Sequence, residues 1–160
     1  MIQATTETAF NAFIQTEDNR IDTSVASTQI RHLIKFTNDM DGSVQYVYGN
    51  TETIYDRYTY IVLGYAPTPN MYIGQTKLLP AGYWKYEAYE VSWAGTVTVS
   101  SGYAPATEDD VLAPAASDKG IVQGLVTKGK MYVAEKDGTQ QVQYTQREEP
   151  SSTNYIYYGQ

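Results

Sequence analysis

From Gln29 onward, apolar and polar residues alternate with the period of two expected of strands that bury one face. Ile30, His32, Ile34 and Phe36 fall on one side, with Arg31, Leu33, Lys35 and Thr37 on the other. Asn38-Asp39-Met40-Asp41-Gly42 supplies the residues a tight turn needs, and Val44, Tyr46 and Tyr48 resume the alternation up to Gly49-Asn50. Together these stretches predict a hairpin. Tyr55 to Tyr65 predicts the strongest single strand, being dense in the Tyr, Ile, Val and Thr that suit a pleated surface. Ala66-Pro67-Thr68-Pro69-Asn70 ends it, and a short strand is predicted at Met71 to Gly74. After the Pro80-Ala81-Gly82 turn, Tyr83 to Trp93 sets Trp84, Tyr86 and Ala88 on one face and Tyr83, Lys85, Glu87 and Tyr89 on the other.

The remainder is more broken. Thr96 to Ser100 could extend a hairpin, and Gly102 to Gly120 reads as a loop too long for an ordinary connection. Ile121 to Thr127 and Met131 to Glu135 predict two strands about a turn at Gly129, with Gly124 at a bulge. Lys136-Asp137-Gly138-Thr139 turns the chain, and Val142 with Tyr144 marks a weak last strand. No segment carries the period of an ordinary helix. Residues 1–28 are polar and rich in Thr, Gln and Asn, with one apolar group at Phe10, Phe13 and Ile14, so that Ala9 to Ile14 reads as either a helix turn or an isolated strand. The pattern divides the chain into an N-terminal arm over 1–28, a β domain over 29–146 with its long loop at 102–120, and a polar C-terminal arm over 147–160. Short strands punctuated by Gly and Pro predict an all-β, antiparallel sandwich or small barrel.

At 160 residues the chain has the length of one domain that folds without a staple. Eleven basic against 18 acidic residues leave a formal charge of −7, which argues against a partner met through phosphates or anionic lipid. Neither direct nucleic-acid nor membrane binding is therefore expected. No cysteine is present, so disulfides, thiol catalysis and cysteine-bound zinc are excluded. Met1 to Glu7 has neither a basic start nor a following apolar run, so no secretory signal is read there and synthesis in a cytosol is expected.

The candidate chemistry is thin. Asp39-Met40-Asp41-Gly42 resembles the start of a calcium loop, but Thr37 and Tyr48 stand where further ligands belong, and a hairpin turn explains it. His32, the single histidine, has no local nucleophile or orienting carboxylate and reads as a hydrogen-bonded, partly buried side chain. Glu87 and Glu90 fall on opposite faces of one strand, while Asp109-Asp110 and Glu148-Glu149 lie in polar stretches; all six read as solvated surface charge. The expectation is no catalytic residue, no metal and no cofactor.

The 16 tyrosines are the informative set, because a phenol ring offers apolar area at small entropic cost and tolerates water. Tyr46, Tyr60 and Tyr86 are expected in the core. Tyr155, Tyr157 and Tyr158 with Ile156 follow a polar linker, and with Phe10, Phe13 and Ile14 they are the candidate interface residues. The terminal group either docks on its own domain or adds an edge strand to a neighbouring subunit. A carbohydrate-binding module is the alternative, with Trp84, Trp93, Tyr83 and Tyr89 as platform residues.

Leu78-Leu79-Pro80-Ala81-Gly82-Tyr83-Trp84-Lys85-Tyr86-Glu87-Ala88-Tyr89-Glu90, with the later Leu125-Val126-Thr127-Lys128-Gly129-Lys130-Met131-Tyr132-Val133 and the ending Asn154 to Gln160, resembles small structural proteins of tailed bacteriophages. The likeness runs over about residues 29–160, most strongly in the second half. It implies an Ig-like β-sandwich serving as a virion component, a neck or ring protein or a capsid accessory protein. Its implied partners are major capsid, portal or neck proteins, with self-association in a ring or lattice. The long Ala/Pro loop is larger than that likeness implies.

Overall fold

The computed structural model describes residues 1–112 and 118–138. Among the described residues, nine strands form two sheets. The larger has the order β1-β9-β8-β3-β4, from β1 (Ile2–Thr5), β9 (Ile121–Ala134), β8 (Gly82–Ser92), β3 (Ile30–Asn38) and β4 (Val44–Tyr48). The smaller has the order β2-β6-β5, from β2 (Phe10–Ile14), β6 (Thr59–Tyr65) and β5 (Thr51–Ile54), while the two-residue β7 (Gln75–Thr76) pairs with β6. All pairings are antiparallel except β1 with β9 and β6 with β7.

Period-two alternation decides which side chains meet between the sheets. Ile34 and Phe36 of β3, Trp84 and Ala88 of β8, and Met131 and Val133 of β9 face Phe10, Ala12 and Ile14 of β2 and Ile61 and Leu63 of β6 in one core. Phe10 and Phe36 touch across the layers edge to face, their ring centroids 6.3 Å apart. The class is a two-layer, sandwich-like all-β protein, as the alternation predicts.

Residues 1–28 are not an arm. β1 adds to the edge of the large sheet, the chain turns at Glu7, whose φ is +55°, and β2 joins the small sheet. Phe10, Ala12 and Ile14 are what hold it there, because only a strand puts these alternate positions on one buried side. The low hydrophobicity of 17–28 misled, since that segment is held by polar contacts. Glu90, 1% exposed, accepts hydrogen bonds from the backbone N–H groups of Ile21 (3.0 Å) and Asp22 (2.7 Å), and the Asp22 carboxylate accepts from the Ser92 hydroxyl at 2.8 Å. Glu90 is therefore a buried anchor and not solvated surface charge.

Four element boundaries also differ from expectation. Tyr55 to Tyr65 holds a turn at Tyr55–Tyr58, closed by the Tyr55 N–H donating to the Tyr58 carbonyl at 2.9 Å, and the polar-looking Thr51–Ile54 forms the strand before it. Met71–Ile73 is a 3-10 turn, started by the Asn70 side chain accepting from the Tyr72 N–H. Thr96 to Ser100 forms no strand. β9 runs unbroken through Gly129, where a Cβ would lie 2.7 Å from the Tyr86 hydroxyl; the glycine makes room for a ring and no turn. Gly124 does sit at the irregularity between β8 and β9, with φ +148°. Val142, Tyr144 and the 147–160 arm lie outside the described residues.

Candidate functional site: an uncharged aromatic face

On the small sheet, the residues that alternate with the core positions point outward. Register places Asn11 beside Val62 and Thr51, and Phe13 beside Tyr60 and Thr53. The turn beyond adds Tyr55 and Tyr58. None of these side chains is charged, and the exposed Asp56 and Arg57 at the tip of the turn bound the patch with one charge of each sign. Phe13 is 60% exposed, Tyr55 48% and Tyr58 41%. Their rings pack on one another in sequence, Phe13 to Tyr60 at 5.1 Å, Phe13 to Tyr58 at 5.7 Å and Tyr55 to Tyr58 at 4.9 Å. Large apolar rings on a solvent face, held rigid by their neighbours, are the composition of a protein interface.

The interface candidates of the sequence divide here. Phe13 is on this face. Phe10, three positions back, and Ile14, one position on, are buried in the core, because a strand sends residues an odd number apart to opposite sides. Tyr155, Ile156, Tyr157 and Tyr158 lie outside the described residues. Tyr60, expected in the core, is half-buried on the outer side. Tyr55 and Tyr58 carry no sequence signal as site residues, because the surrounding Tyr-rich run predicts strand interior; the Asp56-Arg57 pair between them is the available turn signal.

The proposed sugar platform does not form from the residues chosen for it. Trp84 and Trp93 have no exposed surface, and the Trp84 indole donates to the Pro80 carbonyl at 3.1 Å. Tyr83 is exposed and Tyr89 half-buried. Nor do the rings of the aromatic face make a flat bed, since their planes tilt by 36° to 60° from one another.

The outer side of the large sheet carries a second apolar cluster. The chain after Trp93 folds back over it, so that Leu33, Tyr48, Val91, Trp93 and Ala104 are buried together. The Tyr48 hydroxyl donates to the Pro105 carbonyl at 2.7 Å, and burial pushes its ionisation well above the ordinary phenol value. Gly120 lies against Trp93, where a Cβ would approach ring atom Cζ2 to 2.6 Å. The long loop is thus a packed cover over most of its described length.

Its polar clamp is Glu108, which accepts hydrogen bonds from Lys35 and from the Tyr46 hydroxyl. Burial raises the Glu108 carboxyl, but these bonds outweigh it and leave the group below the usual carboxylate value. The bond to Glu108 holds the Lys35 ammonium above its ordinary value. Burial, then the bond to Glu108, pushes Tyr46 up to about 12. Glu108 therefore contributes stability above its unfolded value and loses it as pH falls through the lowered folded one. Tyr46 contributes fully below 10.0 and loses its contribution as pH rises through about 12. Protection of the Ala104 amide, taken against the unfolded exchange rate at each pH, should fall in acid, and Glu108→Gln should remove most of that acid dependence; an unchanged acid limb in the variant refutes the clamp.

The buried His32 has a structural partner. His32 of β3 pairs through Nδ1 with Glu52 of β5, and the His32 backbone N–H donates to the same carboxylate at 3.1 Å, so this pair ties one sheet to the other. Among the described residues, no three His, Asp or Glu side chains come together in a way that would hold a metal ion. No protein-family model, curated protein or solved structure matches the chain.

Proposed function

We propose that the chain is a non-enzymatic structural protein that binds protein neighbours in a symmetric assembly, and that the assembly is the virion of a tailed bacteriophage. The observation that carries the first part is the uncharged aromatic face of Phe13, Tyr55, Tyr58 and Tyr60 on the small sheet. Such a face is costly to leave in water and suits a neighbouring polypeptide, which can follow tilted rings that a sugar face cannot lie flat on. The virion setting rests on the sequence resemblance described above. The Ig-like form of the sandwich belongs to the same proposal and is supported by two antiparallel-rich layers sharing a core.

Purified particles from the producing lysate test this reading. Quantitative mass spectrometry is expected to find the chain in fixed ratio to the main shell protein. A ratio near one places it on the capsid surface, and a far lower constant ratio at the neck. Phe13→Ser with Tyr58→Ser should reduce incorporation by about tenfold or more while leaving the fold intact, since hot-spot aromatics each contribute roughly 2 kcal/mol or more to an interface. Absence of the native chain from particles removes the virion reading.

A further inference from the structure

The open half of the large sheet's outer side has a different chemistry. Beyond the loop cover, register sets Tyr83 opposite Tyr132, Lys85 opposite Lys130, and Lys128, the next outward residue along β9, opposite Glu87. Tyr83 is 56% exposed and Tyr132 39%, their ring centroids 5.1 Å apart, and the three lysines are exposed. Like charges directly opposite on paired strands destabilise a sheet. Lys85 is compensated by Asp39 at 3.2 Å, whereas among the described residues no carboxylate lies within 4.0 Å of Lys128 or Lys130.

We infer that this face receives the C-terminal segment, residues 147–160, of a second copy of the chain. The inference rests on the assembly reading, which supplies that copy, and it names the contact. Charge complementarity points to the occupant. The segment presents Glu148-Glu149 and then, after Pro150 to Thr153, the tyrosines of Asn154 to Gln160. The acids match Lys128 and Lys130, and the phenol rings match the Tyr83–Tyr132 pair. Copies carrying −7 each repel at a distance, so self-association needs a locally basic surface, and this face sets three of the 11 basic residues against two carboxylates, Asp39 and Glu87. A tail of one copy on a face of the next is a head-to-tail contact, the kind that closes rings.

Sedimentation of the full-length protein at low ionic strength tests it by charge exchange. The native chain should associate in a concentration- and salt-dependent way. Lys128→Glu with Lys130→Glu should weaken association by about tenfold or more, as should Glu148→Lys with Glu149→Lys. An equimolar mixture of the two variants should recover association, because each supplies the charge the other lacks. A native chain that stays monomeric at every concentration, as it would with the tail folded on its own body, overturns the inference. So does a mixture that fails to recover. Particle incorporation is a separate readout, so loss of the virion reading leaves this result standing, and the reverse also holds.

Discussion

Phe10→Ala should cost about 3–5 kcal/mol of stability, while Phe13→Ala, three residues on, should cost about 1 kcal/mol or less. Phe10 is 9% exposed and contacts Phe36 across the layers, so its removal leaves a cavity between sheets that cannot collapse on it from both sides. Phe13 is 60% exposed and loses only its packing on Tyr58 and Tyr60. Urea denaturation of both variants reads the difference directly. Equal small losses would mean that the first strands are not integrated in the core. The same pair separates folding from function, since Phe13 is the one expected to matter for incorporation.

Glu90→Ala should cost about 2–3 kcal/mol and expose the peptide bond after Arg20 to trypsin. The Glu90 carboxylate accepts two backbone N–H groups, from Ile21 and Asp22, and each hydrogen bond to such a group contributes about 1.5–3 kcal/mol. The full sum is not expected, because Ile21 is 45% exposed and its freed N–H can turn to water. Glu90→Gln keeps one acceptor oxygen in the same volume and should recover about half of the loss. Unfolding by urea gives the energy, and limited proteolysis shows where the chain has loosened. If cleavage after Arg20 is as slow in Glu90→Ala as in the native chain, the anchor assigned to this carboxylate does not exist.

The all-β class was legible because β3 and β8 alternate cleanly and their two faces were assigned correctly from residue identity alone. β2 was not, because five residues with a phenylalanine on each face have no clear period. β5 hid in a polar stretch: its inward residues are Glu52 and Ile54, and the carboxylate is buried only because His32 on the other sheet meets it. Long-range polar pairs of this kind leave no local signal, and the same is true of Glu90 and Glu108. The aromatic face was half legible. The abundance of tyrosine pointed to aromatic rings at the surface, and Phe13 is among the residues legible there, but Tyr55 and Tyr58 reach the site only through a turn that their Tyr-rich surroundings masked.

The parallel pairing of β1 with β9 joins Ile2 to Met131 and Thr5 to Ala134. A strand near one end of the described chain is thus completed by a strand near the other. The edge of the large sheet cannot close until Ile121–Ala134 is in place, and β1 stays unpaired on that side until then. Loop closure over so long a separation is entropically slow, which makes this pairing a late step of folding. Until it forms, the β9 edge of the sheet offers unpaired backbone groups to neighbouring chains, so crowding among folding copies works against the yield of folded protein.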